Sequence, residues 1–214
     1  MPAMHRLQLP LTEEKVRSLS LGDTVYLDGE IVVVGTGLPA HDRILSYIDE
    51  GKPLPIDLNG ATILHFGSYS RLVDGAYEVL YINPTTSARF NRYMPKIIKT
   101  FGLRAVGGKG GFNAETVQAM KETGCVYLSF LGGGCAVLSE SIKEVLAVEW
   151  NDLIFQYRMV KLRVEGLGPA TVGIDSHGNS IYENLRVNAE QRLPQILRDL
   201  AEDRASAIGA SQRF

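Results

Sequence analysis

Between Leu103 and Cys135 the chain twice passes from a short apolar stretch into a glycine-rich loop and on toward a helical pattern, and this repetition limits the folds open to it. Leu103–Val106 precede Gly107-Gly108-Lys109-Gly110-Gly111, and a helical pattern then occupies Ala114–Thr123. Val126–Phe130 lead into Gly132-Gly133-Gly134, with a short helical stretch after Cys135. Strands alternating with helices pack as layers, and open sheets of this kind hold ligands beyond the carboxyl ends of their strands. Further extended segments surround this centre. Thr24–Leu27 and Glu30–Val34 flank Asp28-Gly29, which is a hairpin signal; Ala61–His65 follow a turn, and Ala76–Ile82 follow Asp74-Gly75. Thr12 opens a brief helix, and Pro39 can open another that runs through Ile44, Leu45 and Ile48 to Gly51. Later extended segments fall near Met159–Val164 and Ala170–Ile174, and the tail from Glu183 to about Ala201 is amphipathic and helical, interrupted by Pro194. The order predicts an α/β (α+β) fold around one mixed sheet. No fixed-period repeat, low-complexity tract or linker divides it, so residues 1–204 read as a single domain and 205–214 as a frayed tail.

Charge and cysteine content narrow the function. Twenty-two basic residues stand against 24 acidic ones, a net of -2, so no general attraction to nucleic acid or an anionic membrane is expected. Any anion must be met locally. Met1–Pro10 lack the apolar core of a secretory signal, and no stretch approaches the roughly 20 apolar residues of a membrane span. A cytoplasmic location is the expectation. Cys125 and Cys135 are the only cysteines, with nine residues between them, which suits neither a zinc knuckle nor an iron–sulfur cluster. No metal site is therefore expected in this chain, and both thiols read as small buried hydrophobes.

Three segments carry candidate chemistry. In Asn83-Pro84-Thr85-Thr86-Ser87-Ala88-Arg89 a loop is expected to become a helix running toward Gly102, with Pro95 kinking or restarting it. Three successive hydroxyls at a helix start can cap it, and free N–H groups there favour an anion. Thr85 and Arg89, four apart, could then converge on one carboxylate; the same residues also fit a plain N-cap beside a solvated arginine. Four glycines around Lys109 let backbone N–H groups approach a ligand, with Gly108 and Gly110 as possible loop contacts, although a flexible turn would look alike. The spacing excludes a nucleotide P-loop, because Gly110 stands where Ser or Thr is required. The Gly132–Gly134 loop could line the same crevice or simply pack a loop against a helix. His41 begins a helix, and His177 lies in the turn Asp175-Ser176-His177-Gly178-Asn179.

Together with Val148-Glu149-Trp150 and Gly168-Pro169, these segments, in this order, resemble the beta subunit or C-terminal domain of iron–sulfur hydro-lyases, the class I fumarases and L-tartrate dehydratases. Pro-Thr-Thr-Ser-x-Arg and Lys-Gly-Gly carry the resemblance most specifically. It implies a swivelling three-layer β/β/α domain and a lyase that works only with an alpha partner carrying a [4Fe-4S] cluster. It further implies that Thr85 abstracts a proton, that Arg89 clamps a substrate carboxylate, that Lys109 adds a second cation, and that Thr86 and His41 contact substrate. A dimer or a heterotetramer of alpha and beta chains is the family expectation. One departure stands out. The family's Thr-x-Arg-Asp-x-x-His-x-Arg aligns here with Val34–Arg43 at His41 and Arg43, but Gly37 or Leu38 replaces its first arginine. Losing a bidentate clamp on one carboxylate should cost about 1.5–3 kcal/mol of binding. The reaction type is thus better defined than the acid, and a non-enzymatic carboxylate-binding or assembly module is the competing reading.

Overall fold

The structure is a computed structural model that describes residues 2–211, with side chains through Arg204. Two compact units divide the chain, residues 1–180 and 181–214. The elements of the first are β1 (Met4–Gln8), α1 (Glu13–Arg17), β2 (Thr24–Val34), α2 (Leu38–Asp49), β3 (Thr62–Leu64), β4 (Phe66–Val73), β5 (Ala76–Pro84), α3 (Met94–Phe101), β6 (Ala105–Gly108), α4 (Ala114–Thr123), β7 (Val126–Phe130), α5 (Cys135–Glu140), β8 (Ile142–Glu149) and β9 (Met159–Ile174). Single 3-10 turns occupy Ser87–Phe90 and Phe155–Tyr157. The second unit contains α6 (Ile181–Ser211).

The seven-stranded sheet is mixed, as the element order predicts. β1, β2, β3, β6 and β7 pair in parallel, and β9 runs antiparallel to β2, β7 and β8. Pairings proceed β2–β3–β6–β7–β9 and return from β9 to β2, so five strands close into a ring and satisfy each other's edges. Consecutive Ile31, Val32, Val33 and Val34 are all buried, the pattern of a strand covered on both faces. The main core gathers Leu27, Ile31, Leu64, Phe66, Val126, Leu128, Leu162 and Val172. β4 and β5 form a separate hairpin whose turn uses left-handed Asp74 and Gly75, at φ 50° and 84°.

Helix ends follow their local signals. Asn113 caps α4 by accepting from the Thr116 N–H at 3.1 Å, and left-handed Gly102 and Gly124 end α3 and α4. α3 packs against both α4 and α2.

Several local expectations are corrected. Asp28-Gly29 does not turn a hairpin: β2 is one 11-residue strand, irregular at Val25–Gly29, laid antiparallel along β9. Gly29, at φ 117°, provides the bulge that a turn would also have required. The two late extended segments likewise join into the 16-residue β9. The helix expected from Thr86 to Gly102 is a four-residue 3-10 turn followed by α3, and Pro95 lies in the first turn of α3, where a missing N–H leaves no bond unmade. Pro194 does not interrupt α6: the helical backbone runs through it from Ile181 to Ser211, although its ring removes one backbone donor. Of the tail at 205–214, helical backbone continues to Ser211, and residues 212–214 lie outside the described residues.

Candidate functional site

The parallel strands β2, β3, β6 and β7 end at one edge of the sheet, and the segments leaving them carry His41, His65, Lys109 and Gly132. The chain leaving β5 reaches the same edge. There the Thr85 N–H donates to the His65 carbonyl at 2.8 Å, and the Lys109 N–H donates to the Thr85 carbonyl at 2.9 Å. The Ser87 N–H donates to the Lys109 carbonyl at 2.8 Å, and Thr86 pairs with Lys109 as a parallel bridge. Sheet-type bonds, not a helix start, therefore hold the hydroxyl-rich segment against the glycine loop. Thr86 occupies the position before the 3-10 turn without making a side-chain cap, so a dipole-based anion site at a long helix is not what this segment builds. Thr85 is 8% exposed, Thr86 and Lys109 are half-buried, and Arg89 is exposed.

Below this ladder lies a polar network that the sequence reading did not single out. Ser87 Oγ accepts from the Tyr127 hydroxyl at 3.0 Å and lies 3.0 Å from His65 Nδ1. Accepting from Tyr127 leaves Ser87 its own proton to donate to Nδ1. His65 Nε2 is buried and has no hydrogen-bond partner. Around these groups His41 stacks on Phe90 at 3.9 Å between centroids, His65 tilts against the same ring at 4.5 Å, and Phe112 meets both His65 and Tyr127 edge-on. Burial lowers the pKa of His41 to about 4. Burial, and then the neighbouring His41, hold that of His65 well below the ordinary range. Both imidazoles are neutral at pH 7. The structure places His41, 1% exposed, beneath the site, with Nδ1 3.4 Å from the Gly37 carbonyl.

Glycine is required where these layers touch. A Cβ on Gly108 would fall 2.2 Å from Ser87 Oγ and 3.0 Å from the Thr85 carbonyl oxygen. One on Gly132 would fall 3.2 Å from Lys109 Nζ and 3.3 Å from its Cδ, so the lysine stem lies across the second glycine loop. The two loops thus meet at Lys109. Gly110, at φ 82°, brings the loop to within 3.2 Å of the Thr86 methyl, measured from the Cβ it lacks. Of the two positions that could stand for the absent arginine, Gly37 has no room for a side chain, since a Cβ there would fall 2.3 Å from the Tyr157 ring, whereas Leu38 is 41% exposed; nearby, a Cβ at Gly35 would fall 2.1 Å from the Gln156 carbonyl oxygen. Arg43 turns instead to Asp152, with hydrogen bonds of 2.8 and 2.6 Å, and lies over the Trp150 ring. His177 belongs to a structural turn in which the Asp175 carboxylate accepts from the His177 and Asn179 N–H groups, both at 3.0 Å.

Among the described residues no group of three or more His, Cys, Asp or Glu side chains could hold a metal ion. Burial pushes the Cys125 thiol far up, away from the thiolate a metal or redox role would need. Cys135 is half-buried at the start of α5. No described helix is long and apolar enough to cross a membrane.

Comparison with known proteins places the chain among named relatives. The chain is 36% identical over 188 residues to a Methanocaldococcus jannaschii protein named "Putative L(+)-tartrate dehydratase subunit beta", a match covering 87% of this chain and 95% of that one. It is 33% identical over 198 residues to the L(+)-tartrate dehydratase subunit beta of Escherichia coli, covering 92% and 95%. A Geobacillus stearothermophilus protein named "Putative fumarate hydratase class I" is 39% identical over 190 residues, covering 88% of this chain but 35% of that longer protein. Residues 3–185 match the family described as Fumarase C-terminus, and the chain belongs to that family.

Proposed function

We propose that this chain is the beta subunit of a [4Fe-4S]-dependent hydro-lyase that reversibly adds or removes water at a 2-hydroxy (di)carboxylate of the fumarate/malate or tartrate type. The observation that carries the reading is the backbone ladder from Thr85 to Ser87 against Lys109, which holds hydroxyl-bearing and cation-bearing residues side by side at one sheet edge. The names of the relatives support it.

Dehydration of such an acid removes a weakly acidic C–H proton beside a carboxylate, and negative charge then builds on that carboxylate. Arg89, exposed beside the ladder, offers a planar fork to it and Lys109 a point charge. Thr85 takes the proton as its alkoxide and is left as the neutral hydroxyl; the cations beside it lower the hydroxyl's pKa and so make that form accessible. Thr86 completes the contact surface and Gly108 and Gly110 keep the backbone close. Neutral His41 acts from below, through Phe90 and the Gly37 carbonyl. A [4Fe-4S] cluster supplied by a partner alpha subunit contributes Lewis acidity toward the substrate's hydroxyl and carboxylate oxygens. Such a partner implies a hetero-oligomer, in keeping with a cytoplasmic enzyme.

A carboxylate-binding or assembly module is the second reading, favoured by the Tyr157 ring packed against Gly37, one of the two positions where a further cation is expected. Anaerobic reconstitution with an alpha subunit, followed by assays over fumarate, malate and tartrate, separates the two. Turnover by the cluster-loaded complex is expected, and no turnover of any 2-hydroxy acid would overturn the enzymatic reading. Arg89→Lys should lower kcat/KM roughly thirty-fold, about 2 kcal/mol, because a point charge cannot replace the fork. Unchanged kcat/KM would remove Arg89 from the clamp.

A further inference from the structure

The match to the family ends at residue 185, close to where the second compact unit and α6 begin. Leu185, Leu193, Ile196, Leu197 and Leu200 on this helix are between 42% and 65% exposed. Ala189, Leu193, Ile196 and Leu200 recur at intervals of four, three and four, the spacing of a seam between two packed helices. Continuing the spacing by three residues at each end reaches Arg186 and Asp203.

We propose that α6 pairs antiparallel with the α6 of a second copy of this chain, about a twofold axis between Pro194 and Gln195. The argument is the charge pattern. In that register Leu193 meets Ile196 of the second copy, Ala189 meets its Leu200, and Arg186 at the end of the seam meets its Asp203. On one flank Arg192 lies beside Asp199 of the second copy, and on the other Glu183 lies beside its Arg204. Each of these charged pairs is of opposite sign and, by the twofold symmetry, occurs twice. Parallel pairing in register instead sets Arg186 against Arg186 and Asp203 against Asp203 at the seam, which disfavours it. Pro194 follows Leu193 and stands outside the seam, so its missing N–H does not interrupt the contact. Within its own helix Arg186 also holds Glu183 and Glu190, but exposed pairs of this kind are weak and do not compete strongly. A foreign partner requires no such twofold self-complementarity; a second copy does.

The test is sedimentation equilibrium on the full chain across a concentration series. A reversible dimer is expected for the native sequence. Arg192→Asp and Asp199→Arg, singly, each create like-charge pairs and should raise Kd about ten-fold, and the double exchange Arg192→Asp/Asp199→Arg should restore it to within about three-fold. Leu193→Glu with Leu200→Glu should give a monomer whose circular dichroism retains the sheet signal of residues 1–180. A native chain that stays monomeric up to the high micromolar range overturns the proposal. So does association only when an alpha subunit is added, dimerisation indifferent to the leucine exchanges, or a double charge exchange no better than the singles.

Discussion

Replacing Gly108 by Ala tests whether the Thr85–Lys109 ladder depends on the network beneath it. The new methyl would fall 2.2 Å from Ser87 Oγ, 3.0 Å from the Thr85 carbonyl oxygen and 3.3 Å from His65 Cβ. None of these is the loose end of a flexible chain. The Ser87 hydroxyl is fixed between Tyr127 and His65, the Thr85 carbonyl accepts from Lys109, and His65 is fully buried. Relief requires Ser87 to move, which breaks its bonds, or the ladder to open. Overpacking of this kind costs about 1–3 kcal/mol, and a buried hydrogen bond left unmade costs about the same. One displacement causes both losses, so they do not simply add, and a destabilisation of roughly 2–4 kcal/mol follows. Urea unfolding of the isolated chain measures it, with Gly133→Ala as control. A Cβ at Gly133 meets nothing within 4 Å, and its backbone is not left-handed, so that change should stay within about 0.5 kcal/mol. If Gly108→Ala proves as stable as Gly133→Ala, Ser87 is not pinned as described and the ladder does not depend on it.

Ser87→Ala and Tyr127→Phe should each cost about 1–2 kcal/mol, and a double-mutant cycle should return a coupling of at least about 0.5 kcal/mol; additive losses would refute the shared bond. Stability should also fall on mild acidification. With both His41 and His65 held neutral by burial, the unfolded chain binds more protons as pH drops below about 6.5, and His41 continues this down to about 4. Each histidine then removes up to about 1.4 kcal/mol per pH unit across that window. Urea midpoints at pH 7 and pH 5 measure the loss, and His41→Phe should flatten the slope; an unchanged slope in that variant would show that His41 is not held neutral.

Local signals were sufficient where neighbours in sequence are neighbours in space. The β6–α4–β7 run and the Asp74-Gly75 turn form within a few residues, and the sequence reading anticipates both; the left-handed glycines ending α3 and α4 form just as locally. Asp28-Gly29 carries the same turn signal and yet lies inside β2, because β9, more than 120 residues later, offers a continuous antiparallel partner. β1 and β8 have no strong alternation of their own and are strands by virtue of β2 and β9. The 3-10 turn at Ser87–Phe90 replaces a longer helix for a related reason: the N–H groups and carbonyls of Thr85–Ser87 are already engaged with His65 and Lys109.

The same distinction explains what could be read of the candidate site. Thr85, Arg89 and Lys109 lie in dense, unusual local runs, and such runs can be noticed in one dimension. His65 and Tyr127 cannot: each is an ordinary residue at a strand, and only the parallel order β3–β6–β7 sets their side chains on either side of Ser87. Sequence did retain one trace of this contact. Gly108, unlike Gly110 and Gly111, does not have a left-handed backbone, so conformation alone gives no reason for glycine there. The reason is the Ser87 hydroxyl lying where a Cβ would be, and beyond the ring of strands the same reasoning applies at Gly132, whose missing side chain is the space the Lys109 stem occupies. Glycines without a backbone requirement therefore mark the places where the hydroxyl segment and the two loops are pressed together, and those contacts fix where Lys109 can present its charge.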